Sequence, residues 1–350
     1  MMTIKTEPID VVIGVDTHKQ THTASIVDQL GAELACRTSR ATVAGHAELL
    51  QFARTYSGGK RLWAIEGTGS YGRGLTTFLL AHDEDVVEID RPARPARRNG
   101  AKSDALDATR AAREALSRQD LAEPRCSGDR EALRVLLCTR KVAISAYKPA
   151  INHLKALVVT APAALHDRLT GLGREALIKQ CSRLRVSRTQ DAEYGATVLA
   201  LRSTARRASM LMAEAKSLMS EIEALVTRLA PRLLAEHGVG PITGGDILCA
   251  WSHRGRLRSE AAFAMLAGVA PIPASSGQVT RYRLNRGGDR QLNRALHTIV
   301  LTRLAHHDET KRYAERRKAE GKTSREIRRC LKRHLARRLF KLLESMPMPT

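Results

Sequence analysis

The stretch NGAKSDALDATRAA (Asn99–Ala112) sets two aspartates three residues apart behind a serine. Ser103 is a ready helix N-cap, which puts Asp104 and Asp107 on a first helical turn, where side chains at i and i+3 lie about 5–6 Å apart between Cβ atoms. Two carboxylates so close repel unless something positive sits between them. Two more acids close short apolar, β-branched runs: Asp16 ends DVVIGVD, and Glu66 ends the strand in RLWAIEG. If those runs are parallel neighbours, their carboxyl ends meet at the edge where open α/β sheets carry their sites. Four converging carboxylates must share protons or bind cations. A pair of Mg²⁺ ions about 3.5–4 Å apart is the common solution when the substrate is a phosphodiester. Taken one at a time, each acid has an ordinary explanation: first-turn acids complement the helix dipole by about 0.3–1 kcal/mol, and Asp16 could cap a turn. Taken together on one fold, they point to a metal site.

The elements that must position these acids are legible in the first quarter of the chain. DVVIGVD, HTASIVDQ and ELACRTS, with the turn LGAE before the third, read as a three-strand meander. A helical pattern follows from about residue 42 to 56, then the strand RLWAIEG after the breaker SGGK. Next come a helix from about 70 to 82, the strand DVVEID, a Pro/Arg-rich loop RPARPARRNGAK and the helix opened by Ser103. The order βββαβαβα predicts an α/β domain with an antiparallel hairpin edge and parallel central strands, which is the ribonuclease-H-like order.

From about Asp129 to Leu229 strand signals vanish and apolar residues recur at three-to-four spacing, interrupted by Pro149 and the loop TAPAALHDRLTGLG. This helical middle reads as a hairpin or coiled coil usable for dimerisation, or equally as an ordinary bundle core. Beyond Pro231, EHGVGPITGGDILCAW has a Gly-rich turn between two short helical patterns, the form of a helix-hairpin-helix whose turn amides can face a phosphate. A loop, GVAPIPASSGQVTRYRLNRGGDR, and a very basic helix pair complete a mostly α C-terminal region. The expected division is therefore residues 1–125, 126–232 and 233–350.

Composition narrows the partners. With 350 residues and 43% hydrophobic content the chain can bury a sizeable core. No apolar run approaches a membrane span, and MMTIKTEPIDVVIG has neither the apolar stretch nor the cleavage site of a signal peptide, so a cytoplasmic, nucleoid-associated protein is expected. The six cysteines show no C-x-x-C pair and no zinc-ligand spacing, and read as reduced, mostly buried small hydrophobes. There are 58 Lys and Arg against 36 Asp and Glu, a net charge of +22, and the pI is about 10.4. Residues 281–341 hold 20 Lys and Arg against six acids, so the excess concentrates at the C-terminal end. Without an anchoring segment, such charge points to nucleic acid. At 3% aromatic residues, stacking of single-stranded bases gives way to phosphate contact.

GVDTHK (Gly14–Lys19), AIEGTGSYG (Ala64–Gly72) and AKSDALDA (Ala101–Ala108) resemble the DEDD motifs of the IS110 family of bacterial insertion-sequence transposases. GVGPITGGDIL and LAGVAPIPASSGQVTRYRLNRGGDRQLNRAL are similar to that family's second domain. The resemblance implies a RuvC-like domain binding Mg²⁺ through Asp16, Glu66, Asp104 and Asp107. It also implies a C-terminal transposase domain with a nucleophilic serine, here Ser276 rather than its neighbour Ser275. Also implied are DNA as substrate, a structured non-coding bridge RNA that chooses donor and target, and dimers that pair into tetramers. Arg281, Arg283 and Arg286 follow the serine and are placed to hold phosphates near it. The same motifs would serve a Piv-type site-specific invertase. A RuvC-like junction nuclease would not need Ser276, and a non-catalytic binder would need none of the four acids.

A basic nucleic-acid-binding helix makes a quantitative prediction. Log K falls with log salt by about 0.9 per neutralised duplex phosphate, so removing Arg328, Arg329, Lys332 and Arg333 together should flatten that slope in a DNA titration across a KCl series. An unchanged slope would show these four to be a solvated face.

Overall fold

The computed structural model describes residues 9–89, 103–118, 121–125, 127–186, 191–274 and 282–346. They form two compact units: residues 1–127 with Trp251–Phe263, and Gly128–Ala250 with Ala264–Thr350.

In the first unit, β1 (Val11–Thr17), β2 (Thr21–Val27) and β3 (Glu33–Arg40) form the antiparallel meander. α1 (Val43–Tyr56) leads to β4 (Arg61–Glu66), and α2 (Arg73–Leu80) to β5 (Asp85–Ile89). β4 runs parallel to both β1 and β5, giving the order β3-β2-β1-β4-β5. α3 (Asp104–Ser117) follows, its first turn capped by the Ser103 hydroxyl, which accepts from the Leu106 N–H. Strand alternation sorts side chains onto two faces. Ile13, Val15, Ala24, Ile26 and Trp63 pack under α1 and α2, while Val12, Val27, Leu62 and Ala64 pack against the alanines of α3. The expected α/β topology is what folds. The Pro/Arg-rich loop expected after β5 lies outside the described residues.

The return of residues 251–263 to this unit has ionic causes. Arg256 donates to the buried Glu88 on β5 at 2.9 Å, with Arg125 at 3.4 Å on the other carboxylate oxygen, and His253 meets Glu123 at 3.1 Å. Breaking one partner of such a buried pair leaves an uncompensated charge.

The second unit is built on two long helices, α4 (Asp129–Val159) and, after α5 (Ala163–Leu169) and α6 (Arg174–Ser182), α7 (Ala192–Leu229). Leu154 and Val158 of α4 cluster with Val198 and Leu201 of α7, and Tyr147 and Ile151 with Ala208, so the pair runs antiparallel. Two expectations are corrected here. Pro149 lies inside α4 rather than interrupting it, its lost hydrogen bond offset by packing of the adjacent Ala150 and Ile151. The expected loop after α4 holds α5, whose Leu165 and Leu169 are buried.

α8 (Pro231–Leu234) and α9 (Pro241–Trp251) follow, with Gly238 and Gly240 in the segment between them and Gly244 and Gly245 within α9. A Cβ at Gly245 would sit 3.0 Å from Leu137, so the bare backbone lets α9 approach α4. After α10 (Glu260–Leu266), the expected loop contains a short antiparallel ladder, β6 (Ile272–Pro273) with β7 (Tyr282–Arg283). Three basic helices close the chain, not a pair: α11 (Arg290–His306), α12 (Asp308–Ala319) and α13 (Ser324–Glu344). The expectation of mostly buried cysteines also fails. Cys181 is buried, but Cys36 on the edge strand β3 and Cys138 on α4 are exposed; Cys126 lies outside the described residues. Among the described residues no helix is long and apolar enough to cross a membrane.

Under α1, the rings of His22 and His46 stack at 5.5 Å in the buried layer. Burial lowers both, His22 to about 4 with help from the neighbouring His46. Both take up a proton less readily in the folded chain than in the unfolded one, whose imidazoles titrate near the ordinary value of 6.5. The unfolded state therefore binds more protons as pH falls below 6.5, and folding stability declines toward pH 4. Thermal melts across this window should show the decline, and His22→Phe with His46→Phe should flatten it. An unaltered pH profile would contradict the assignment.

Candidate active site

The site begins with an absence of side chain. On β1, Val12, Gly14 and Asp16 alternate onto the face covered by α3. A Cβ on Gly14 would lie 2.0 Å from the Ala108 carbonyl oxygen and 2.5 Å from the Ala112 nitrogen. The helix thus rests on the strand backbone to backbone, along buried Ala108, Ala111, Ala112 and Ala115. Its rotation is fixed by Thr109, whose hydroxyl bonds Ser25 of β2 at 2.8 Å and Glu33 of β3 at 2.7 Å. Asp104, one helical turn before Ala108, consequently comes to the carboxyl end of β1 beside Asp16. Glu66 ends the adjacent parallel β4, joined to β1 by the Thr17 hydroxyl, which donates to the Glu66 carbonyl at 2.8 Å.

The four predicted acids share one electrostatic neighbourhood. Asp16 is more enclosed than Asp104 and Asp107, its side chain 15% exposed against 53% and 30%. Burial pushes the Asp16 carboxyl above the usual carboxylate range; His18 pulls it back, and the charges of Asp104, Glu66 and Asp107 push it up again. Asp107 has its own counterion one turn on, Arg110 at 2.9 Å.

His18 is the member that sequence reasoning missed. Its Nδ1 lies 3.9 Å from Asp16 and 3.8 Å from Asp104, and ligand atoms of these three residues fall within 4.8 Å of one another. The signal was available: His18 stands two residues after Asp16 at the strand end, a spacing that shares a face. Two carboxylates with an imidazole, and two further acids within electrostatic reach, make a donor set that fits a divalent cation.

Ser276, its alternative Ser275, and Arg281 are outside the described residues. Arg283 is exposed on β7, Arg286 is exposed before α11, and Arg328, Arg329, Lys332 and Arg333 lie on α13. The acids belong to the first unit and these basic residues to the second.

A DEDD transposase model of the IS110 type matches residues 13–161, and the model described as Transposase IS116/IS110/IS902 family matches residues 230–315. Together they span about two thirds of the chain. The chain belongs to the IS110 family of transposases. It is also similar to the insertion element IS900 uncharacterized 42 kDa protein of Mycobacterium paratuberculosis, with 24% identity over 358 aligned positions, 88% of this chain and 89% of that protein. Membership in the family implies a DNA-cleaving enzyme, and all four acids and His18 fall inside the first matched region.

The Gly14 contact gives a test whose sign is opposite to strand propensity. Alanine in place of glycine inside a strand ordinarily stabilises. Gly14→Ala should instead destabilise by about 1–3 kcal/mol, because its methyl drives α3 off β1. Denaturant unfolding reads the sign, and a neutral or stabilised variant would refute the contact.

Proposed function

We propose that this chain is a Mg²⁺-dependent DNA transposase that cuts and rejoins the strands of an insertion sequence through a phosphoserine intermediate. The observation that carries the reading is the gathering of Asp16, Glu66, Asp104 and Asp107 at the carboxyl ends of two parallel strands and the first turn of α3, in a chain of net charge +22. Those four acids would hold the metal, with His18 beside them. Bound there, Mg²⁺ supplies positive charge to the attacking and leaving oxygens of a phosphodiester.

The chain's own residues then divide the work. Ser276, assigned from the family resemblance, is the nucleophile of the transposase domain. Its Oγ attacks phosphorus and gives up its proton to a base, while the bond from phosphorus to the leaving strand's oxygen breaks and that oxygen is protonated. One ester replaces another, so the broken bond's energy is kept. Attack by a strand hydroxyl on the serine ester later restores the phosphodiester and frees the serine without ATP. Arg281, Arg283 and Arg286 hold backbone phosphates in this proposal, and the basic face of α13 adds further phosphate contacts. Residues 1–125 act as the catalytic domain, 126–232 as a helical dimerisation segment and 233–350 as the transposase domain. The family resemblance adds a bridge RNA as guide and a dimer or tetramer as the working form.

Wild-type protein on a nicked suicide substrate should trap a protein–DNA adduct that survives denaturation and disappears in EDTA. Asp16→Asn, Glu66→Gln and Asp104→Asn should each lower cleavage at least about a hundredfold while leaving the melting temperature near that of wild type. Ser276→Ala should retain DNA binding and lose the adduct, whereas Ser275→Ala should keep it. Cleavage by Ser276→Ala would replace this mechanism with that of a hydrolytic junction nuclease, and full activity in EDTA would remove the metal.

A further inference from the structure

In the second unit, the start of α11 and the loop before it line an open cleft of about 350 Å³. Arg290, Arg294 and His297 stand at i, i+4 and i+7 on α11 and therefore share a face, and Arg286 faces them from the loop. From α13, Lys332 donates to the Asn293 amide oxygen at 3.1 Å. We propose that this cleft is a built seat for one backbone phosphate of the DNA strand on which the transposase acts. The proposal deepens the transposase reading and rests on it.

Three observations support a seat rather than a solvated basic face. First, the floor is rigid. A Cβ on Gly288 would lie 2.4 Å from the Gly268 nitrogen, so the two backbones touch. The loop is held there by Asp289 N–H to the Leu266 carbonyl at 2.6 Å, Asn285 to Met265 at 2.9 Å and Asn293 to Ala267 at 2.6 Å. Arginines on such a floor lose little freedom when they close on an anion.

Second, the nearby acids are already engaged. Asp289 caps α11, accepting from the Gln291 and Leu292 N–H groups, and the buried Asp246 is held by Arg294 at 3.3 Å. Among the described residues, neither forms an ion pair with Arg286, Arg290 or Lys332.

Third, the cations strain one another. Burial lowers the Lys332 ammonium, and Arg329 and Arg328 lower it further. Burial likewise lowers His297, with Lys332 and Arg328 adding to it. A phosphate in the cleft removes this like-charge cost. DNA is favoured because Asn285 and Arg286 follow the proposed nucleophile Ser276 by only nine and ten residues in the sequence.

The test uses the full chain without divalent metal, so that binding is read apart from cleavage. Fluorescence anisotropy measures affinity for a labelled DNA duplex and for an RNA duplex of the same sequence, across a KCl series. Arg290→Gln should weaken DNA binding roughly tenfold at low salt and make the salt slope shallower by about 0.9, the value for one phosphate. Arg286→Gln with Arg290→Gln should reduce the slope no further, because both act on the same phosphate. Arg290→Lys, which keeps the charge, should keep the slope. Both arginines are exposed, so melting temperatures should hold. An unchanged slope in the variants, losses that add as two phosphates, or an equal loss on the RNA duplex would each overturn the proposal while leaving the transposase reading intact. A wild-type protein that binds neither duplex would overturn both.

Discussion

The geometry of the first unit depends on the bare backbone of Gly14 against Ala108 and Ala112. Because no side chain separates β1 from α3, the helix is held at backbone distance along its alanine face, and Ser25, Thr109 and Glu33 fix its rotation. Slipping α3 by one residue would rotate it about 100° and shift it about 1.5 Å along its axis, carrying Asp104 away from the end of β1. The catalytic-end arrangement is thus a consequence of how closely a small-residue helix can lie on a sheet.

Glu84 is buried, and burial alone would raise its pKa. It is nevertheless held below its usual range by hydrogen bonds from Arg61 and Trp63 and by the charges of Arg61 and Arg54. The protein supplies every counterion that this acid needs. Asp16 is treated in the opposite way: it is enclosed among Asp104, Glu66 and Asp107, with His18 as its nearest cationic relief, and its carboxyl is pushed up. At about 4 Å and an effective dielectric near 20, a pair of like charges costs on the order of 4 kcal/mol as an upper guide. The same fold that neutralises Glu84 sets Asp16 against three other acids, and an arrangement of that charge fits a divalent cation.

Much of this was legible in the sequence because it rests on local periodicity. The β-branched runs around Val12, Ile26 and Ile65 and the Ser103 cap specify strands and a helix start without help from tertiary contacts. Chain order then supplies the sheet, and the sheet brings Asp16 beside Glu66. What stayed hidden depends on partners distant in sequence. Pro149 reads as a breaker until α7 packs beside it, the close approach of α9 to α4 at Gly245 has no local signal, and Arg256 gives no sign of its pairing with Glu88. His18 was overlooked for another reason: a lone histidine at a strand end has many ordinary uses, and only the arrival of Asp104 from α3 makes it part of the cluster.

The same accounting of charge applies with the sign reversed in the second unit. Glu131 receives the half-exposed Arg134 on both oxygens and the buried Arg130 on one, so that buried acid is matched by cations. Lys332 and His297, by contrast, share their surroundings with Arg328 and Arg329, and the acids nearby are bound to a helix cap and to Arg294. Among the described residues, like charges therefore crowd at an acidic centre in the first unit and at a basic one in the second. A divalent cation balances the former, and a phosphodiester balances the latter.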